Sequence, residues 1–224
     1  MSNENLTDKA KEKKNYLVIS YLTLRSLIGL LGICLPLVLL LGSWIKGSDE
    51  VFLESISCYY HSVMRDLFVG ILCAVALFLF AYRGYDKRDL IAGNLGGIFA
   101  LGVAFFPASD CLGTATGIKG VLHLISATCF FLVLIYFSLH LFRMSDKPRS
   151  RMGKLKKNRN QAYKVCGLII LFCIILIGVY FLLPDRIIAG FEGIHPVFWL
   201  EAIALWAFGF SWLTKGEVLW SDNR

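Results

Sequence analysis

The chain contains four histidines, and three of them, His61, His123 and His195, stand at the heads of apolar stretches. Three neutral imidazoles and a water make a tetrahedral zinc site with one open position. Such a metal polarises a carbonyl and lowers the pKa of its bound water. Two acids accompany these histidines, Asp66 and Glu201, and either could act as general base. Ser57 could donate a hydrogen bond to a developing oxyanion. The chemistry would be metal-assisted hydrolysis of an amide or ester, with zinc as cofactor. The same residues also have ordinary uses. Histidine and arginine at helix ends bond headgroups or cap loops, Asp66 could pair with Arg65 or Lys119, and His195-Pro196 suits a simple helix start. No H-x-x-x-H or H-E-x-x-H occurs. Both uses stay open from sequence.

The elements that must position these groups are membrane spans. Of 224 residues, 57% are apolar and only 17% charged, too few charges to cover a soluble domain of this size. Crossing the ~30 Å hydrocarbon core takes about 20 apolar residues as a helix. Residues 26–45, 90–109, 120–142 and 165–184 contain no Asp, Glu, Lys or Arg. Residues 67–82 are uncharged but short, so that helix is expected to begin near Ser55, and a sixth stretch is interrupted only by Glu201. The expected architecture is all-α, a polytopic bundle of six transmembrane helices over about 24–45, 57–83, 89–107, 118–143, 163–184 and 195–214. An N-terminal arm (1–20) and a short tail (215–224) flank the membrane domain (21–214). The first span is too long, and begins too far into the chain, for a signal peptide.

Lysine and arginine set the orientation. With both termini cytoplasmic, only Lys46, Arg65, Lys119 and Arg186 of the 23 basic residues face outward, which the positive-inside rule strongly favours. The net charge of +7 is therefore a signature of topology rather than of a nucleic-acid partner. The basic stretch from Arg143 to Lys164 is the main inside determinant and could also attract anionic headgroups.

This topology puts His61, His123 and His195 at one depth on the outer side, with His140 alone at the inner end of span four. If span two is helical from Ser55, then Ser57, His61 and Arg65 share a face at i, i+4 spacing, and Asp66 adjoins it. Glu201, six residues past His195, lies about 9 Å deeper along the helix. An acid at that depth is a functional-site hypothesis by default. Cys58 and Cys111 fall in or beside the first two outer loops and could pair under oxidising conditions. Gly93-x-x-x-Gly97 offers a close-approach surface, by default within the chain and alternatively for a homo-oligomer. Pro36 is expected to kink the first span.

The runs SISCYYHSVMRDLFVGILCAVALFLFAYRGYD (from Ser55), NLGGIFALGVAFFP, GVLHLISATCFFLVLIYFSLHLF and HPVFWLEAIALWAFGFSWLTKGE resemble a family of uncharacterised bacterial membrane proteins. That resemblance implies a bacterial inner-membrane location and no particular activity. Ser57-x-x-x-His61 followed by Asp66 is also similar to the opening motif of the CREST hydrolases, which include the alkaline ceramidases. This second, partial likeness implies zinc and a lipid amide or ester substrate. The chain departs from that pattern in three ways. Asp66 follows His61 too soon, Trp199 stands where the second His of the terminal pair belongs, and six spans replace seven.

The leading expectation is an inner-membrane accessory or sensor protein with membrane lipid as its surroundings. The alternatives are a zinc-dependent lipid hydrolase, with His61, His123 and His195 on the metal, and a small proton-coupled transporter. The last would call for an inverted repeat, and spans one to three show no likeness to spans four to six.

Overall fold

The computed structural model describes residues 3–84, 86–108, 117–144, 153–191 and 193–219, with side chains from Tyr21 onward. Among these residues the regular elements are α-helices and 3₁₀ helices, without a strand. Five helices are long and apolar enough to cross a membrane. They are α1 (Asn3–Ile45, its apolar part Tyr21–Ile45), α3 (Lys87–Phe105), α4 (Ile118–Leu139), α5 (Lys154–Tyr180) and α7 (Pro196–Lys215). Helix α2 (Arg65–Ala81) has 17 residues, at the lower end of what a bilayer requires. The short α6 (Asp185–Ile188) lies in the α5–α7 connection.

The six longer helices pack as a closed ring in the order α1, α2, α3, α4, α5, α7, with α7 returning to meet α1. Small residues permit the tightest approaches. A Cβ on Gly209 would lie 2.5 Å from the Gly29 carbonyl oxygen, so α1 and α7 meet backbone to backbone. Gly93 and Gly97 face Leu79 and Phe80 of α2, and a Cβ at Gly93 would stand 2.8 Å from the Leu79 carbonyl oxygen. The glycine stripe of α3 thus serves packing within the chain.

Several boundaries differ from the sequence expectation, each for a local reason. Residues 55–64 do not extend α2. They form a 3₁₀ helix, Ile56–His61, closed by an extended Ser62. Ser55 Oγ accepts the Cys58 N–H at 3.2 Å, Ser62 Oγ donates to the Tyr59 carbonyl at 2.9 Å and also accepts the Met64 N–H at 3.1 Å. Serine hydroxyls here capture the backbone groups that an α-helix would need. The expected i, i+4 face of Ser57, His61 and Arg65 therefore does not form. At the other side, α5 begins at Lys154 behind Gly153, nine residues before the expected span. The run KLKKNRNQAYK is rich in good helix formers and simply continues the span. Helix α1 likewise starts at Asn3 rather than after a separate arm, and it runs through Pro36. Residues 145–152 of the basic loop and 220–224 of the tail lie outside the described residues.

Candidate functional site

Polar side chains collect at the two ends of the ring. At the end where α2, α4 and α7 begin, named outer after the expected orientation, most of them bind backbone. Glu201 of α7 reaches the start of the 3₁₀ helix, where its Oε2 accepts the Ile56 N–H at 2.7 Å, and the Ser57 N–H faces the same carboxylate. The first amides of any helical segment lack internal partners, and here an acid from another helix caps them. The Phe198 N–H returns the favour by donating to the Glu54 carbonyl at 3.0 Å. His195 Nδ1 lies 3.4 Å from Glu54 Oε1, and the Phe52 ring rests against His195, Phe198 and Trp199. His195 itself takes a left-handed backbone (φ 51°), a conformation unfavourable for a side-chain-bearing residue, so that Pro196 can open α7.

The other two histidines hold the end of α3. His123 Nδ1 donates to the Phe106 carbonyl at 2.7 Å, and His61 Nε2 donates to the Ala108 carbonyl at 2.9 Å. His123 is buried and His61 exposed. Each donation fixes a tautomer. Tyr59 anchors the loop from within, its hydroxyl donating to the Val51 carbonyl at 2.6 Å. Burial pushes that phenol up to about 12, so it stays a donor across the physiological range. Cys58 is disulfide-bonded and the other five described cysteines are free; Cys111, the expected partner, lies outside the described residues.

Among the described residues no three His, Cys, Asp or Glu side chains are grouped so as to hold a metal ion. His61, His123 and His195 are not assembled as one ligand set. His61 and His123 sit at the α3 end, within electrostatic reach of one another, while His195 turns to Glu54. Of the three residues expected to act in catalysis, Ser57 is buried in the 3₁₀ helix, Asp66 lies in the first turn of α2, and Glu201 is occupied with backbone amides.

The opposite end, named inner on the same expectation, is different in kind. Arg25 of α1, Asp89 of α3 and Lys215 of α7 are 3%, 2% and 9% exposed, so three ionisable side chains from three helices are withdrawn into the protein. The Arg25 guanidinium stacks over Tyr21 at 4.2 Å and reaches the Lys215 carbonyl at 3.4 Å. Tyr82 donates its hydroxyl to Asp89 Oδ1 at 3.2 Å and lies parallel to Tyr21 with ring centres 5.7 Å apart. Tyr21 in turn accepts the Gly84 N–H at 2.6 Å. Asp89 has a second duty in the capping box that starts α3, answering Asp86 across its first turn.

An aromatic box closes over this cluster. Trp212, fully buried, meets Tyr82, Phe137, Phe142 and Phe208 with ring centres 5.0 to 5.9 Å apart. The Lys215 ammonium stands 5.4 Å from the Phe142 ring centre. Ser138 and Ser211 share a hydrogen bond of 3.1 Å just beside the box. Lys156 and Arg159 of α5 add to the positive field at Lys215, and Arg159 pairs with Glu217 at 4.0 Å. The arrangement holds these ionisable groups apart from water.

Sequence alone did not single out this cluster. Arg25 and Lys215 counted only toward topology, and Asp89 was not singled out at all. A signal was present, since on the expected topology all three fall at inner ends of spans, as the histidines fall at outer ends. Compared with known proteins, the chain matches no family model, no curated protein and no solved structure.

Proposed function

We propose that this chain is a six-span protein of the bacterial inner membrane, with both termini cytoplasmic. It acts as a non-enzymatic accessory or sensor component through the charged cluster at its inner end. The observation that carries this is the burial of Arg25, Asp89 and Lys215 together. Ionisable groups are costly at membrane depth and persist where they serve ion, ligand or conformational coupling. Helix α7 joins the two ends, with Lys215 and Trp212 in the cluster and Glu201 in the outer clasp. A change of charge at the inner end therefore has a rigid element along which to act.

Three observations support the topology. Helix α2 occupies a full place in the ring between α1 and α3. The bonded Cys58 belongs on an oxidising face, and the basic residues belong inside.

The test is genetic. A strain lacking the chain is complemented with variants at matched membrane levels, and any loss phenotype is scored. Asp89→Asn and Lys215→Met are expected to fail, whereas Ser57→Ala and Asp66→Asn complement. The opposite ranking, with turnover of a lipid amide or ester by the purified protein, would overturn the proposal in favour of an outer-side hydrolase. Reporter fusions at both termini test orientation separately.

A further inference from the structure

Outside the ring, α5 and α7 leave a groove of about 660 Å³ between them, within the ~300–1,000 Å³ typical of ligand sites. Its walls are apolar and outward-facing, with Val165 and Ile169 from α5 and Ile203 and Phe210 from α7. Trp206 also lines it, and its indole N–H is fastened to the Ile33 carbonyl at 3.2 Å, which makes that wall rigid. Polar side chains occur at one end only, where Asn158 and Gln161 form the mouth.

Length and charge identify the occupant. From Asn158 to Ile169 the groove follows α5 for eleven residues, about 16 Å at 1.5 Å per residue. That is close to half of the ~30 Å hydrocarbon core, the depth of one leaflet. The mouth is at the inner end, because α5 runs outward from Lys154. One turn before Asn158 and Gln161, on the same helix face, stand Lys154 and Lys157, both exposed. A long apolar slot of single-leaflet depth, with amides at its rim and two ammonium groups just beyond, fits a two-part ligand. One part is an acyl chain, and the other is a negatively charged headgroup.

We infer that the α5–α7 groove is a binding site for an anionic phospholipid of the inner leaflet, its chain along Ile169 and Ile203 and its phosphate at Lys154 and Lys157. The inference rests on the orientation proposed above, but not on the charged cluster. It gives the accessory or sensor reading a lipid ligand, since α7 forms both a wall of this groove and part of the cluster.

The experiment uses the full chain in lipid nanodiscs containing equal phosphatidylglycerol and phosphatidylcholine with matched acyl chains. Lipids retained after mild detergent extraction are counted by native mass spectrometry. The wild type is expected to retain phosphatidylglycerol selectively. Lys154→Gln with Lys157→Gln should weaken that retention roughly thirtyfold, the order set by two charges at about 1 kcal/mol each near a headgroup. Ala162→Phe, which fills the groove, should abolish retention of either lipid. Because a filled groove could disturb packing, the lysine pair, exposed and remote from the core, keeps the test decisive. Equal retention of both lipids, unchanged by the lysine substitutions, would overturn the inference and leave an unselective lipid-facing surface. A dimer that holds no lipid and is split by Ala162→Phe would overturn it too, because a second copy would then fill the groove. Selective retention with an outward-facing C-terminal reporter would overturn the inner-leaflet assignment and, with it, the proposed orientation.

Discussion

The outer and inner ends of the bundle use polar residues in opposite ways. At the outer end Glu201, His123, His61 and Ser55 each bind a backbone group. They complete the hydrogen bonding of loops and helix ends that would otherwise lie open near the bilayer. At the inner end Arg25, Asp89, Tyr82 and Lys215 lie within electrostatic reach of one another and against aromatic rings, with Tyr82 donating to the Asp89 carboxylate and Arg25 also bonding the Lys215 backbone carbonyl. Polar residues at one depth can thus be a stitching of the backbone or a charge system. Their partners, more than their types, tell which.

That contrast can be broken or sharpened by substitution, most severely at the inner end. Trp212→Ala empties the centre of the aromatic box and is expected to cost about 3–5 kcal/mol, read as a lowered midpoint of thermal unfolding in detergent. Asp89→Ala leaves buried cations without their acid and should cost roughly 3 kcal/mol. If Arg25→Ala in the same chain restores part of that loss, the two charges are coupled; strict additivity would separate them. At the outer end, Glu201→Ala strands the amides at the start of the 3₁₀ helix and should cost about 1–3 kcal/mol. Glu201→Gln keeps an acceptor and should be close to neutral, which hydrogen exchange at Ile56 and Ser57 would report as retained protection. A large loss in Glu201→Gln would mean that its charge matters, and the contrast between the ends would fail. The smallest effects are expected at the histidines. His123→Ala, buried, should cost about 1 kcal/mol, and His61→Ala, exposed, under about 0.5 kcal/mol.

The spans were legible because an uninterrupted apolar run is a one-dimensional property. Residues 26–45 and 165–184 need no partner to declare themselves. The ends were harder. Ser55 to Met64 carries residues that suit a helix, yet serine hydroxyls at 55 and 62 draw its backbone into a tighter turn. Lys154 to Lys164 is so charged that it looks like a loop, while its helix formers make it the first turns of α5. The candidate sites show the same limit. Topology alone led to the expectation that His61, His123 and His195 share a depth. Depth leaves open the direction in which each ring points, and the rings turn to Ala108, Phe106 and Glu54.

By itself the sequence determined the class of protein, its all-α build and the position of its apolar helices. Those follow from hydrocarbon thickness and from the need of every backbone group in lipid for an internal partner. Only the tertiary structure decided the order of the helices in the ring, the capping role of Glu201 and the meeting of Arg25, Asp89 and Lys215. Each of these depends on which faces of distant helices come together, and side chains 64 and 126 residues apart share no local pattern that would announce it.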